Sequence, residues 1–304
     1  AGQGTRMKSS LPKVLHNVLG SPMINYAQEA ISDLKNKYVV VGHQYETVTL
    51  NLFESFIPIL QEEQLGTGHA ISILIESGEY KNDENEYLVV IPGDVPLIKK
   101  EDLKKLIDDV VQGKAAIGII TAFVDNPHGY GRIVKNNDEF EKIVEETDAS
   151  EIEKQINEIN SGIYCIEKKF LEKNIGSLET KNIQKEFYLT DLVNIAFQNK
   201  LRRVIVQVNE DSIQGVNSMS QLNDVENTLR KQLIESHMEN GVYFQDPNST
   251  YIDKSVQIES GAKILANCHL TGKTIIENNC VIGPNSIIND SKIGEGSVIQ
   301  FSVI

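Results

Sequence analysis

The chain has 304 residues, of which 40% are hydrophobic, 6% aromatic and 24% charged, values for a globular chain that can bury a core rather than for a disordered one. Lys and Arg number 29 against 43 Asp and Glu, and the formal net charge of −14 argues against a broad grip on DNA, RNA or an anionic membrane. Phosphate binding is then expected only where a few cations and backbone N–H groups gather.

In chain order, the first clear period is Ile24, Ala27, Ile31 and Leu34, which predicts a helix. YVVVG (38–42) and FIPIL (56–60) read as short buried strands. Ala70, Ile71, Leu74 and Ile75 mark a helix face, and YLVVI (87–91) is again a strand. Leu103, Leu106, Ile107 and Val110 return to helical spacing before the apolar run at 115–124. That run has strand length, and none approaches the roughly 20 residues of a membrane span. Apolar strands alternating with amphipathic helices imply a mostly parallel sheet covered on both faces, with ligands beyond the carboxyl ends of its strands. Residues 218–240 form a joint: Ser218 and Gln221 have capping-box spacing, Leu222, Val225 and Leu229 share a helix face, and Asn240-Gly241 ends it. From there Ile252, Ile258, Ile264, Leu270, Ile276, Ile282 and Ile288 recur every sixth residue. The frame then slips by one to Ile293 and Ile299. Small residues often follow four places later, as at Ala262, Cys268, Thr274, Cys280, Ser286 and Ser297. A period of six fits a parallel β-helix, each hexapeptide forming one face of a triangular coil; it signals stacking, not chemistry.

Cys165, Cys268 and Cys280 are widely spaced and odd in number, which argues against a disulfide scaffold and suits a reducing compartment. No secretory presequence is visible. The chain opens without Met inside a glycine-rich loop, so residues upstream are expected.

Three segments carry candidate chemistry. In AGQGTRMKSSLPKVLH (1–16), Gly2 and Gly4 allow close backbone approach to a ligand, and Arg6, Lys8 and Lys13 concentrate cations in an acidic protein. Arg6 suits bidentate contact with phosphate and Lys13 a mobile point charge. In QEEQLGTGHA (61–70), Gly66 and Gly68 flank Thr67 at a helix N-terminus, and Gln61 can offer both a donor and an acceptor to a base edge. His69 reads as a packed or hydrogen-bonded histidine rather than a catalyst. In VVIPGDVPLI (89–98), Asp94 stands just past a strand end, where a hard cation such as Mg²⁺ can take one or two carboxylates plus substrate phosphates. Weaker taken singly are Gly129 and Gly131 in GYGRI, Glu145 at a strand end in IVEETDA, Asn160 before a buried strand in EINSG, the helix start YLTD (188–191) and Asn217 before the joint helix.

Together, AGQGTRM with LPKVLH, QEEQLGTGHA, GDVPLI, GYGRI, IVEETDA, EINSGIY, EFYLTDL, GVN and the hexapeptide repeat resemble, in order, the family of bacterial bifunctional N-acetylglucosamine-1-phosphate uridyltransferases/glucosamine-1-phosphate acetyltransferases. The resemblance implies an α/β, Rossmann-like nucleotidyltransferase domain with a mostly parallel sheet over 1–217, a linker helix over 218–240, and the start of a left-handed parallel β-helix over 241–304. It places Gly2 and Gly4 in the nucleotide loop and Arg6 and Lys13 on the phosphates as catalytic cations. Gln61, Gly66 and Thr67 resemble uracil-recognition residues. Asp94 and Asn217 resemble the pair that holds Mg²⁺. Gly131, Glu145 and Asn160 resemble the contacts to N-acetylglucosamine, with Thr190 as a neighbour. The implied reaction joins UTP and N-acetylglucosamine 1-phosphate into UDP-N-acetylglucosamine and pyrophosphate, for cell-envelope precursors, in the cytoplasm, with no nucleic-acid partner.

The family has an apolar strand before the position of Ala1, central in its sheet, so neighbouring edges are expected to lack a partner here. After Ile304 the family's β-helix continues. Its acetyltransferase site lies in those later coils, so that activity and a homotrimer are implied for a longer parent protein. The sequence leaves open a pyrophosphorylase for another sugar or base, and a non-catalytic scaffold of the same architecture.

Overall fold

A computed structural model describes residues 5–137 and 139–304; the glycine pair Gly2 and Gly4 lies outside them. The chain divides into two compact units. One runs to Leu15 and resumes over Met23–Gly215; the other combines His16–Pro22 with Val216–Ile304.

The regular elements open with a short hairpin, β1 (Asn17–Val18) and β2 (Ser21–Pro22), then α1 (Met23–Ala30), β3 (Lys37–Val41), α2 (Tyr45–Thr49), β4 (Phe56–Leu60), α3 (Thr67–Glu76) and α4 (Gly78–Lys81). There follow β5 (Tyr87–Val90), α5 (Lys100–Gly113), β6 (Ile117–Phe123), β7 (Arg132–Asn136), β8 (Glu139–Val144), β9 (Glu158–Glu167), α6 (Lys168–Asn174), α7 (Asp191–Gln198), β10 (Arg203–Gln207) and α8 (Met219–Glu239).

In the first unit, the strands that alternate with helices run the same way within each sheet. β3 is parallel to β4 and β10 is parallel to β6, while β5 and β6 are both antiparallel to β9. The β7–β8 hairpin also joins β9. β9 is thus a long reversed strand on which the rest of the main sheet assembles. Residues on the two sides of β6 feed different cores: Ile117 and Ile119 meet Phe170, Leu171, Leu192 and Val193, whereas Ile120 and Ala122 meet Leu103, Leu106 and Val110. Both faces of the strand are covered, which is why the run reads as continuously apolar and not as an alternation; the pairing with β9 shifts register between Ile119 and Thr121. Among the described residues β5 pairs with β9 only and β3 with β4 only, so each has one edge without a strand partner. The helix of Ile24 and Ala27 ends at Ala30, short of Ile31 and Leu34. There Ser32 donates its hydroxyl to the Glu29 carbonyl at 2.8 Å, a side-chain bond that competes with helix continuation.

In the second unit, Ser218 Oγ accepts the Gln221 N–H at 3.2 Å and Gln221 Oε1 accepts the Asn217 N–H at 2.8 Å, so the expected cap forms at the start of α8. Gly241 follows its end at φ 87°. The hexapeptide isoleucines point inward: Ile252, Ile264, Leu270, Ile276, Ile282 and Ile288 share one core with Ile234 from α8. Coils stack in parallel, Tyr251 on His269 and Lys263 on Val281, eighteen residues on. After the slip in the repeat the offset becomes seventeen, Ile275 on Lys292. The β1–β2 hairpin belongs here, a placement outside the expected boundaries. Leu19 and Gly20 both have positive φ, as a type I′ hairpin requires, and Lys254 N–H donates to the Leu19 carbonyl at 3.0 Å. No helix among the described residues is long and apolar enough to cross a membrane.

Candidate active site

The β7–β8 hairpin brings its two ends together on β9. The Gly131 carbonyl accepts the Asn160 N–H at 2.9 Å. A Cβ on Gly131 would lie 2.9 Å from Ile143 Cγ2, 3.4 Å from Glu145 Oε2 and 3.5 Å from Asn160 Cβ, so only glycine lets these chains close up. Thr190, at the start of α7, donates its hydroxyl to Glu145 Oε1 at 3.2 Å. Four of the sequence-predicted residues, Gly131, Glu145, Asn160 and Thr190, therefore meet in one patch. Asn160 lies within β9 and not before it. Its Nδ2 donates to Tyr164 Oη at 2.7 Å and its Oδ1 accepts the Gly162 N–H at 3.1 Å. One amide hydrogen and one acceptor site are left for a ligand. Tyr164 was not anticipated. Its signal is position: four residues beyond Asn160 on the same strand, it shares that face.

Burial, followed by the negative neighbours Asp148, Asp191 and Glu186, raises the Glu145 carboxyl above its ordinary 4.5, against the Thr190 hydrogen bond that lowers it. The folded state then holds this proton more tightly than the unfolded chain does. Stability falls as pH rises from the ordinary value through the raised one, and the penalty vanishes below both. Glu145→Gln is expected to raise the thermal midpoint at pH 7.5 and to leave it unchanged near pH 3.5. An equal shift at both pH values would contradict the assignment.

The second predicted segment, 61–70, is tied to this patch through residues 187–190. Gln61 continues the β3–β4 pairing through its N–H to the Val41 carbonyl at 2.8 Å. Its buried side chain lies 3.0 Å, Nε2 to Nδ1, from His69 and 3.4 Å from the Gly66 carbonyl. His69 is thus a hydrogen-bonded histidine, as expected. Gly66 caps α3 at φ 108° and ψ 179°, a conformation open essentially to glycine alone. Phe187 N–H donates to the Leu65 carbonyl at 2.8 Å, Gly68 N–H to the Phe187 carbonyl at 2.7 Å, and Leu189 N–H to Thr67 Oγ1 at 3.0 Å. Residues 187–189 form a strap that carries Thr67 on one side and Thr190 on the other. The YLTD motif supplied part of this strap to the sequence reading, but its pairing with the glycine loop had no local signal.

The third segment supplies charge. Asp94 stands four residues beyond β5 and forms an ion pair with Lys13, which belongs to a short 3₁₀ turn, Lys13–Leu15. The two side chains are 21% and 17% exposed, sheltered enough to be held and open enough to meet a ligand. Pro92 in the same loop would touch a Cβ on Gly162 at 3.1 Å, which seats the Asp94 turn against β9 two residues from Asn160. Asp94 offers hard oxygen donors at a strand end, the donor chemistry that suits Mg²⁺ when substrate phosphates complete the shell. Arg6 is exposed in a 3₁₀ turn, Thr5–Met7. Asn217 belongs to the second unit, just ahead of the Ser218 cap.

Residues 1–154 match the model of the MobA-like NTP transferase domain, and residues 255–290 match that of the bacterial transferase hexapeptide, six repeats. The bifunctional protein GlmU of Clostridium novyi (strain NT) is 43% identical over 308 aligned positions, which take in 100% of this chain and 67% of that protein. Those of Clostridioides difficile (strain 630) and Alkaliphilus metalliredigens (strain QYMF) are 42% and 41% identical, again over 100% of this chain and over 66% and 67% of theirs. The chain thus spans about two thirds of the length of these relatives. It belongs to the family of the bifunctional protein GlmU, and its first half is a nucleotidyltransferase domain of the MobA-like NTP transferase type.

Proposed function

We propose that the chain transfers a uridylyl group from UTP to N-acetylglucosamine 1-phosphate, giving UDP-N-acetylglucosamine and pyrophosphate. The observation that carries this reading is the convergence of Gly131, Glu145, Asn160 and Thr190 in one patch, strapped through Leu189 to Thr67. Glu145 and Asn160 would take the hydroxyl and amide groups of the sugar. Gln61, Gly66 and Thr67 would meet the uracil ring. Gly2 and Gly4 would approach the triphosphate through backbone N–H groups.

A phosphate oxygen of the sugar phosphate attacks the α-phosphorus as its bond to the departing pyrophosphate breaks. No covalent enzyme nucleophile is required, so the chain contributes alignment and charge stabilisation. Lys13 and Arg6 would offset charge that builds on the phosphates. Asp94, with Asn217 on the family resemblance, would hold Mg²⁺, which would supply positive charge against the phosphates. The Asp94–Lys13 ion pair holds the carboxylate in place at the strand end. The product would feed cell-envelope precursor synthesis in the cytoplasm. In a longer parent protein the hexapeptide coils would support a homotrimer and an acetyltransferase site for glucosamine 1-phosphate.

The test is pyrophosphate release across a panel of nucleoside triphosphates and sugar 1-phosphates. UTP with N-acetylglucosamine 1-phosphate is expected to lead with a divalent cation present. Preference for another pair would overturn the substrates, and no turnover with any pair would favour a scaffold.

A further inference from the structure

Glu146 follows Glu145, and the sugar site as proposed makes no use of it. β8 ends at Val144, and Glu146 lies in the turn that follows, which Asp148 N–H closes on the Glu145 carbonyl at 3.0 Å. Glu145 faces Gly131 and Thr190. Glu146 faces the loop that leads into β7, where its carboxylate is a hub. Oε2 accepts the Gly129 N–H at 3.1 Å and an Arg132 Nη2 hydrogen at 2.6 Å, while Oε1 lies 3.1 Å from His128 Nδ1. Arg132 is 1% exposed, and its Nη1 donates to the Tyr130 carbonyl while its Nε has no partner among the described residues. Glu146 is therefore the carboxylate that neutralises a fully buried guanidinium, and removal of either member would leave an uncompensated charge. Burial acts to raise the Glu146 carboxyl, but the Arg132 and Gly129 hydrogen bonds prevail and hold it below its ordinary value.

Arg132 sits at the register point that matters. It pairs with Val144 across the hairpin and with Ile159 on β9. Its two neighbours in space are therefore the residues immediately before Glu145 and Asn160, and Gly131 immediately precedes it in the chain. We propose that Glu146 is a positioning residue: by clamping Gly129 and Arg132 it fixes the 129–131 loop and the turn that begins at Glu145, and so sets the direction of the Glu145 carboxylate toward the sugar. This rests on the sugar-site reading given above and deepens it.

The experiment compares Glu146→Ala and Glu146→Gln with the wild-type chain in steady-state assays, each substrate varied in turn, with thermal midpoints alongside. The sugar 1-phosphate is the one the wild type uses fastest. Glu146→Ala is expected to raise KM for the sugar phosphate about tenfold, on the order of one lost charge-assisted contact, while KM for UTP stays within about twofold. Glu146→Gln keeps an acceptor for Gly129 and one for Arg132, so it is expected to fall between the two and serves if the alanine variant does not fold. KM values that rise together, or a sugar KM left unchanged in both variants, would overturn the role of Glu146 alone. A wild type inactive with every pair would instead sink the transferase reading, and this inference with it.

Discussion

Asp94→Ala is expected to lower turnover about 100-fold or more, close to 3 kcal/mol of transition-state stabilisation, the size of one preorganised electrostatic contact. Asp94 supplies the hard oxygen donors at the carboxyl end of β5, and Lys13 is its ion-pair partner. The substitution removes the anionic end of that pair and leaves Lys13 to repel an approaching cation. Because both side chains retain some exposure, water can take the place of the lost carboxylate, and the loss should fall on turnover far more than on stability. Pyrophosphate release at saturating substrates, titrated with Mg²⁺, checks the turnover; a thermal midpoint close to that of the wild type excludes unfolding as the cause. Near-wild-type Mg²⁺-dependent turnover would remove Asp94 from the role.

Gly66→Ala is expected to destabilise the chain by about 2–4 kcal/mol, from backbone strain of about 1–3 kcal/mol and a comparable overpacking term. The added Cβ would lie 2.6 Å from the Phe187 carbonyl oxygen and 2.9 Å from its nitrogen. Those atoms are backbone and hydrogen-bonded to Leu65 and Gly68, so they can yield only if the strap moves. Movement of the strap displaces Leu189 from Thr67 and Thr190 from Glu145, and activity should fall with stability. Gly78 is the control: a Cβ there meets nothing within 4 Å, and Gly78→Ala should be neutral or slightly stabilising. Denaturant unfolding of both variants measures the contrast. A wild-type midpoint for Gly66→Ala would show that the loop accommodates a side chain and is not set by Phe187.

Where the signal was local, the sequence was readable. The hexapeptide isoleucines repeat without reference to any distant residue, and even the slip before Ile293 is mirrored in the coil offset. The Ser218 cap and the strands at Phe56–Leu60 and Ile117–Phe123 are also local patterns. What could not be read is long-range pairing. The reversed strand β9 is apolar like its neighbours, and nothing in EINSGIY states that it runs against β5, β6 and β7. Asn160 looked like a loop residue because amides are rare inside strands; its strand position is stabilised by Tyr164 and Gly162. For the candidate site, each motif was visible one at a time. Their meeting was not, because Gly131, Glu145, Asn160 and Thr190 are joined by hairpin closure and by a strap whose partners lie more than a hundred residues apart, Thr67 and Leu189. Glu146 is the sharpest case, since its value comes from the buried Arg132 beneath it, a contact no spacing rule announces.

The most direct measurement is a crystal structure of the chain with UDP-N-acetylglucosamine and Mg²⁺. The expected density puts uracil against Gln61 and Thr67, the diphosphate beside Lys13 with the cation on Asp94, and the N-acetylglucosamine on Gly131, Glu145 and Asn160. Density for the nucleotide sugar anywhere apart from Asp94 and Glu145 would contradict the account at its root.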